Sequence, residues 1–303
     1  MRITNNTLTG NYLRNLNRNL KAMQKYQNQL SSGKEVSRPS DNPMLVARIM
    51  QLDSNVRMNE QYEKNIGDAL GWTDTADGAL NVVTSTLQRA RELIIYGANG
   101  TLSDTDRSAL KDEVDTLQGQ LMQVLNTNYD GRYIFGGQKT TEPPFQIDEV
   151  SGKLTYSGDN SNIEREISKG VNIAIPTDGS GITVTEGTSL GNEDIGSLFR
   201  SISEALDSGN TEDLSGKLLG DIDKHLDNTI RFRSKMGAVY NRLESAKERN
   251  AAENLSMTEL LSKSEDIDLA EKMMEFSTMR TVYQASLQTG AQILQPSLLD
   301  YIR

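Results

Sequence analysis

The sequence predicts a mainly α-helical fold with an inserted β module: long coiled-coil-like helices formed by both termini, plus a small, mostly antiparallel sheet domain. Three observations carry that prediction. Apolar residues recur at alternating steps of three and four near both ends of the chain. Between residues 154 and 184 the apolar period drops to two. Composition shifts as well: residues 131–192 are rich in Gly, Thr, Ser and Ile and hold Pro143, Pro144 and Pro176.

Near the start, Leu13, Leu16, Leu20, Met23, Gln27 and Leu30 form a heptad a/d seam with one polar member. Asn42-Pro43 reads as the next helix start, with Asn as N-cap and Pro at the first helical position. That helix continues the spacing from Leu45 to Ile94, but its middle carries Gly67, Gly71 and Gly78 and is expected to be looser, with room for a kink. Ser103 and Asp106 of "SDTD" read as a capping box opening a helix with Leu110, Val114, Leu117, Leu121 and Val124 on one face.

A strand at Arg132–Phe135 and a Gly136-Gly137 turn then hand the chain over to the β module. Leu154 and Tyr156, then Val171, Ile173 and Ile175, then Ile182 and Val184 alternate as half-buried strands do. Helical spacing returns at Leu218, Ile222, His225, Thr229, Phe232, Met236, Val239 and Leu243. A last helix carries Leu269, Met273, Phe276, Arg280, Tyr283, Leu287, Gly290 and Leu294.

One apolar stripe cannot bury itself, so these seams need partners. The terminal segments, about 1–40 and 260–303, have the most polar interruptions and are expected to be loosely ordered alone, becoming helical against neighbouring subunits.

Composition excludes several classes. The formal charge is 32 − 42 = −10, which disfavours a general nucleic-acid binder. Residues 1–50 are locally basic, which reads as a solvated helix face. With no cysteine and one histidine, disulfides and thiolate metal sites are excluded and most metal or acid–base constellations removed. Nothing approaches the ~18-residue apolar run of a membrane span, and no signal-peptide core precedes Leu16. No membrane contact and no cleavable address are therefore expected.

The stretch "GRYIFGGQKTTEPPF" (131–145) has the ingredients of a phosphate loop. A Walker A loop needs Lys directly after its second glycine, whereas Gly137 and Gln138 stand between Gly136 and Lys139. Tyr133, Ile134 and Phe135 are bulky where that loop must be tight, and Pro143-Pro144 forbids the helix that should follow. A phosphate-binding enzyme at 131–140 is the weaker reading; Gly131, Tyr133, Phe135, Gly136, Gly137, Pro143 and Pro144 read as a structural joint. His225 reads as a structural histidine, "DID" at 221–223 as a solvated helix face, and Met236, Met273 and Met279 as gap-fillers. No nucleophile has an identifiable base and orienting group, so no catalytic site, cofactor or metal is expected.

Three stretches together resemble the flagellin-like axial proteins of bacterial flagella: "NQLSSGKEVSRPSDNP" (28–43), "NTNYDGRYIFGGQKTTEPPF" (126–145) and "LQPSLLDYIR" (294–303). The second is similar to the signature separating the hook–filament junction (hook-associated protein 3) branch from flagellin itself, and the β module adds "YSGDNSNIEREISKGVNI" (156–173). The resemblance implies a terminal axial domain of residues 1–40 and 260–303, a helical bundle of 41–135 and 193–259, and an outer β domain of 136–192. It implies assembly through Leu13, Leu16, Leu20, Met23, Leu30, Leu269, Met273, Phe276, Tyr283, Leu287, Leu294, Leu298 and Tyr301. It also implies type III export to the extracellular flagellum. The implied partners are further copies of the chain in a ring, hook-associated protein 1, flagellin and the filament cap, and an export chaperone on the C-terminal helix. A minor flagellin is the alternative.

Overall fold

The computed structural model describes residues 5–100, 102–148, 153–184 and 194–293. The elements run α1 (Asn5–Ser32), α2 (Pro43–Gly97), α3 (Asp104–Leu125), β1 (Asn128–Tyr129), β2 (Arg132–Tyr133), β3 (Phe145–Ile147), β4 (Leu154–Tyr156), β5 (Ile163–Ser168) and β6 (Val171–Ile175). Then come α4 (Ser180–Thr183), α5 (Ile195–Ser208), the single turn α6 (Thr211–Asp213), a π-helical turn (Leu214–Leu218), α7 (Leu219–Glu265) and α8 (Leu269–Ile293). The chain divides into two compact units, residues 1–58 with 253–303 and residues 59–252.

In the first unit α1 packs against α8. The segment after α1 pairs with the α7–α8 turn: Glu35 N donates to Glu265 O (2.7 Å) and Ile267 N to Gly33 O (3.1 Å). The expectation of loosely ordered ends is thus corrected for the described residues. Each terminal helix finds its partner within the chain, which supplies the tertiary packing an isolated helix lacks.

The second unit holds the core. Along α2, Ile66, Ala69, Trp72, Ala76, Leu80, Val83, Leu87, Ala90 and Ile94 are buried. The expected loose middle is instead the start of this core, and the helix runs unbroken through Gly67, Gly71 and Gly78. Counting only large apolar residues understated it, because Ala69, Thr73 and Ala76 are buried too, and the Thr73 hydroxyl donates to Ala69 O (2.7 Å). The Asn42 side chain accepts from Leu45 N (3.2 Å), as the cap reading predicts.

The capping box at Ser103 forms in full, with Asp106 N donating to Ser103 Oγ (3.2 Å) and Ser103 N to Asp106 Oδ2 (3.2 Å). Replacing Ser103 by Ala is expected to cost about 1 kcal/mol, read as a lower urea midpoint for the second unit; an unchanged midpoint would contradict it.

The β module comprises three separate antiparallel pairs among the described residues: β1–β2, β3–β4 and β5–β6. Phe145 faces Tyr156 across β3–β4, and Arg165 faces Ile173 across β5–β6. Two details of the predicted strands change. The strand at 132 stops at Tyr133, and Ile134 and Phe135 enter the core fully buried. Ile182 sits on the helical turn α4, while Val184 forms a lone bridge to Asp194. The Asp178 side chain accepts from Ser180 N (2.9 Å) and winds that turn where alternation alone suggested a strand.

Candidate functional site: the terminal helix pair and the joint at 126–145

In the first unit the contacting faces of α1 and α8 are each heptad-spaced. On α1, Tyr12, Leu16, Asn19, Met23, Tyr26 and Leu30 are half-buried; on α8, Lys272, Phe276, Met279, Tyr283 and Ser286 are half-buried and Gly290 is buried. Tyr12 Oη donates to Ser286 O (3.0 Å), and Asn19 Nδ2 to Ser286 Oγ (3.3 Å). A Cβ at Gly290 would overlap the Tyr12 ring and hydroxyl, so glycine here leaves Tyr12 room to reach Ser286. Lys272 Nζ lies 3.3 Å from Glu35 and 3.1 Å from Glu275, over the ring of Tyr26. Burial lowers its pKa, but the two carboxylates outweigh this and raise it.

The seam inside the chain is thus rotated from the one drawn on large apolar residues. Leu16, Met23, Leu30, Phe276 and Tyr283 share the intramolecular face, and Leu20 is half-buried. Leu13, Leu269, Met273 and Leu287 remain exposed, by 44% to 58%. Met273 is therefore no gap-filler in this chain, whereas Met236 is fully buried and Met279 half-buried. Leu294, Leu298 and Tyr301 lie outside the described residues. Sequence reasoning missed Tyr12, Asn19, Tyr26 and Ser286; the signal available was a second heptad seam that keeps Leu16, Met23 and Leu30 and takes its alternate members one residue earlier, with tyrosines two heptads apart.

In the second unit the joint begins at Asn126, the C-cap of α3. Its side-chain amide donates to Phe145 O (2.9 Å) and accepts from Phe145 N (3.1 Å), so it pairs like a strand residue. Asp130 and Gly131 both have positive φ (51° and 73°) and form the two-residue turn between β1 and β2. The hairpin docks on α2: Tyr129 meets Trp72 edge-on at 6.1 Å, and Arg132 lies 5.2 Å over the Trp72 ring. Gly71 leaves room for the Tyr129 hydroxyl, a use different from the kink expected of it.

Beyond the hairpin, Tyr133 N donates to Thr140 O (2.9 Å) and closes the loop around Gly136 and Gly137. Gly136 O accepts from Lys139 N (3.2 Å) and Asp159 N (3.0 Å), while Gly137 N donates to Thr177 O (3.1 Å). Gly137 has φ 65°, and a Cβ there would overlap the carbonyl oxygen of Asp159. The loop's backbone donors from Tyr133, Gly137 and Lys139 are spent on the protein's own carbonyls rather than pointed at a ligand. Pro143 is exposed; Pro144 is buried and its carbonyl accepts from Ser157 N (2.8 Å). Tyr156 Oη lies 3.0 Å from the carbonyls of both Phe135 and Asp159, and burial pushes its pKa up to about 12.

The reading of "DID" changes, while that of His225 as a packed histidine does not. Asp221 of "DID" is buried rather than solvated and pairs with Lys224 at 3.1 Å, while Asp223 pairs with Arg91 at 2.7 Å. His225 is buried, at 1% exposure. Among the described residues no cluster of His, Asp or Glu could hold a metal ion, and no helix is long and apolar enough to cross a membrane.

Terminal helices that pair with each other, and an antiparallel module inserted into a helical body, define the fold class of flagellar axial proteins. The bacterial flagellin N-terminal helical region matches residues 3–140, and the bacterial flagellin C-terminal helical region matches residues 219–302. Flagellin of Halalkalibacterium halodurans is 32% identical over 299 residues, covering 97% of this chain and 96% of that protein. Flagellar hook-associated protein 3 of Escherichia coli (strain K12) is 29% identical over 294 residues, covering 91% and 92%. A solved structure of a putative flagellar hook-associated protein from Vibrio parahaemolyticus shares the fold, with a TM-score of 0.66 at 20% identity, over 75% of this chain and all of that one. The chain belongs to the bacterial flagellin family, and it is a structural component of the flagellum.

Proposed function

We propose that this chain joins hook to filament, as a ring of self-associating subunits between hook-associated protein 1 and flagellin or the filament cap. The observation that carries the reading is the joint at 126–145. Its sequence is similar to the junction branch, and its backbone bonds from Tyr133, Ile134, Gly137 and Lys139 shape the exit from helix to sheet. A junction must bind unlike neighbours above and below while continuing one helical tube. Exposed apolar side chains on the terminal helices supply the shared contact, and a divergent outer module lets the hook and the filament differ. The three-part division into residues 1–40 with 260–303, 41–135 with 193–259, and 136–192 belongs to this proposal, as do type III export and a chaperone on the C-terminal helix. No catalytic role is assigned, in keeping with the structural family to which the chain belongs.

Leu269 and Met273 are 57% and 58% exposed, so replacing both by Asn leaves the monomer's packing intact. If they are buried on assembly, the double variant lowers incorporation into hook–filament structures by about 100-fold, at ~1.5 kcal/mol or more for each side chain. Immunolabelling of intact flagella is the test of position. One narrow band where hook meets filament is expected; label along the filament would replace the junction with a minor flagellin. Wild-type incorporation by the variant would remove these residues from the interface.

A further inference from the structure

The first 34 residues of the sequence carry six basic side chains and not one carboxylate. The rest of the chain therefore holds 32 − 6 = 26 basic against 42 acidic residues, a net of −16. Four of the six, Arg14, Arg18, Lys21 and Lys25, follow steps of four, three and four along α1 and are all exposed. At 100° per residue they form one stripe about 210° around the helix from Tyr12, Met23 and Leu30, on the side facing away from α8. Among the described residues none of the four lies in an ion pair; Arg14 and Arg18 donate instead to the neutral side chains of Asn11 and Asn15.

An arrangement of this kind has a cost in the lone chain. Cations four residues apart on one helix face repel each other. Elsewhere the molecule does pair its charges on helix surfaces, as in Arg89 with Glu92 and Glu113 or Lys263 with Glu259. The absence of any acid from residues 1–34 leaves this one face without that compensation.

We propose that the stripe Arg14–Arg18–Lys21–Lys25 docks on a carboxylate-bearing face of a second copy of this chain and sets the direction of subunit contact. The proposal rests on the assembly reading above and adds the surface that orients it. Two copies cannot lay this stripe on itself, because like charges would then meet along its whole length. It can meet the remainder of the neighbour, which is acidic, and that makes the contact heterologous, the kind that builds rings and tubes rather than closed two-fold dimers. Exposed apolar residues of the terminal helices give such a contact its area; the stripe gives it polarity and a faster encounter.

Zero-length carbodiimide cross-linking of a mixture of unlabelled and heavy-isotope-labelled protein tests this. Amides joining Lys21 or Lys25 of one isotopic form to an Asp or Glu of the other are expected. Cross-links only within one chain, or none from these two lysines, would overturn the proposal. In sedimentation velocity, the variant Arg14→Gln, Arg18→Gln, Lys21→Gln, Lys25→Gln should keep its helical content but associate about tenfold more weakly, at a few tenths of a kcal/mol per lost pair. Wild-type association should fall by a similar factor as added salt shortens the Debye length from about 10 Å toward 3 Å, and the variant should lose that dependence. If wild type does not self-associate at any salt, the assembly reading falls together with the stripe. If the variant associates as strongly as wild type, the stripe alone is overturned, and loss of binding to phosphatidylglycerol vesicles in that same variant would assign it to an anionic surface instead.

Discussion

Replacing Gly137 by Ala is expected to destabilise the second compact unit by about 3 kcal/mol, combining a strained backbone with a displaced neighbour. Gly137 has φ 65°, in the left-handed region where a β-carbon costs about 1–2 kcal/mol on its own. The added methyl would also overlap the Asp159 carbonyl oxygen, which is backbone and cannot swing aside like a side-chain tip. Relief requires moving the 136–137 or the 159 segment. That movement weakens the bonds from Gly137 N to Thr177 O (3.1 Å) and from Asp159 N to Gly136 O (3.0 Å). Gly131 provides the control. It too has positive φ (73°), but nothing lies within 4 Å of a Cβ built there. Gly131→Asn should therefore stay within about 1 kcal/mol of wild type, since Asn tolerates the left-handed region. Trp72, the single tryptophan, packs against Tyr129 and under Arg132, so its fluorescence follows this unit during urea unfolding. Equal midpoints for the two variants would show that the Asp159 contact carries no weight.

Acid should weaken the same unit through one side chain. His225 is buried at 1% exposure, and burial lowers its pKa from 6.5 to about 4; Asp221 and Asp194 pull it upward, and Lys224 opposes them. A base with a depressed folded pKa is neutral in the native state while the unfolded chain takes up a proton. Between about pH 6.5 and 4 the unfolded state therefore binds more protons, and stability falls as pH falls. At 1.36 kcal/mol per pKa unit the full loss is about 3 kcal/mol, with roughly two-thirds of it reached by pH 5. The measurement is the difference in unfolding free energy between wild type and His225→Gln at pH 7 and at pH 5. Other titrating groups are common to both proteins and cancel in that difference. Wild type should lose about 2 kcal/mol more than the variant over that interval, and a pH-independent difference would refute the assignment.

How much of this was legible beforehand depends on the kind of signal. Helix caps are local chemistry, so Asn42-Pro43 and the Ser103–Asp106 box could be read from three or four letters. The handover from helix to sheet at 131–145 was legible because glycines and a double proline exclude a helix there whatever surrounds them. The buried stretch of α2 around Trp72 was under-read, because Ala69, Thr73 and Ala76 bury a face without the large apolar residues on which a heptad count relies. Ile182 was misread for a related reason, since alternation over two residues cannot tell a strand from a turn.

By itself, then, the sequence determined the alternation of helical and extended segments, the caps and turns between them, and the charge asymmetry of the first helix. Each of these follows from residues a few positions apart. Only the tertiary structure decided which face of α1 meets α8, because two seams one residue apart fit the same heptad and the choice lies with Tyr12 finding Ser286 and the space left by Gly290. It also decided that Gly137 is irreplaceable while Gly131 is not. Both were glycines in turns, and the difference is the carbonyl of Asp159, brought against one of them by the fold.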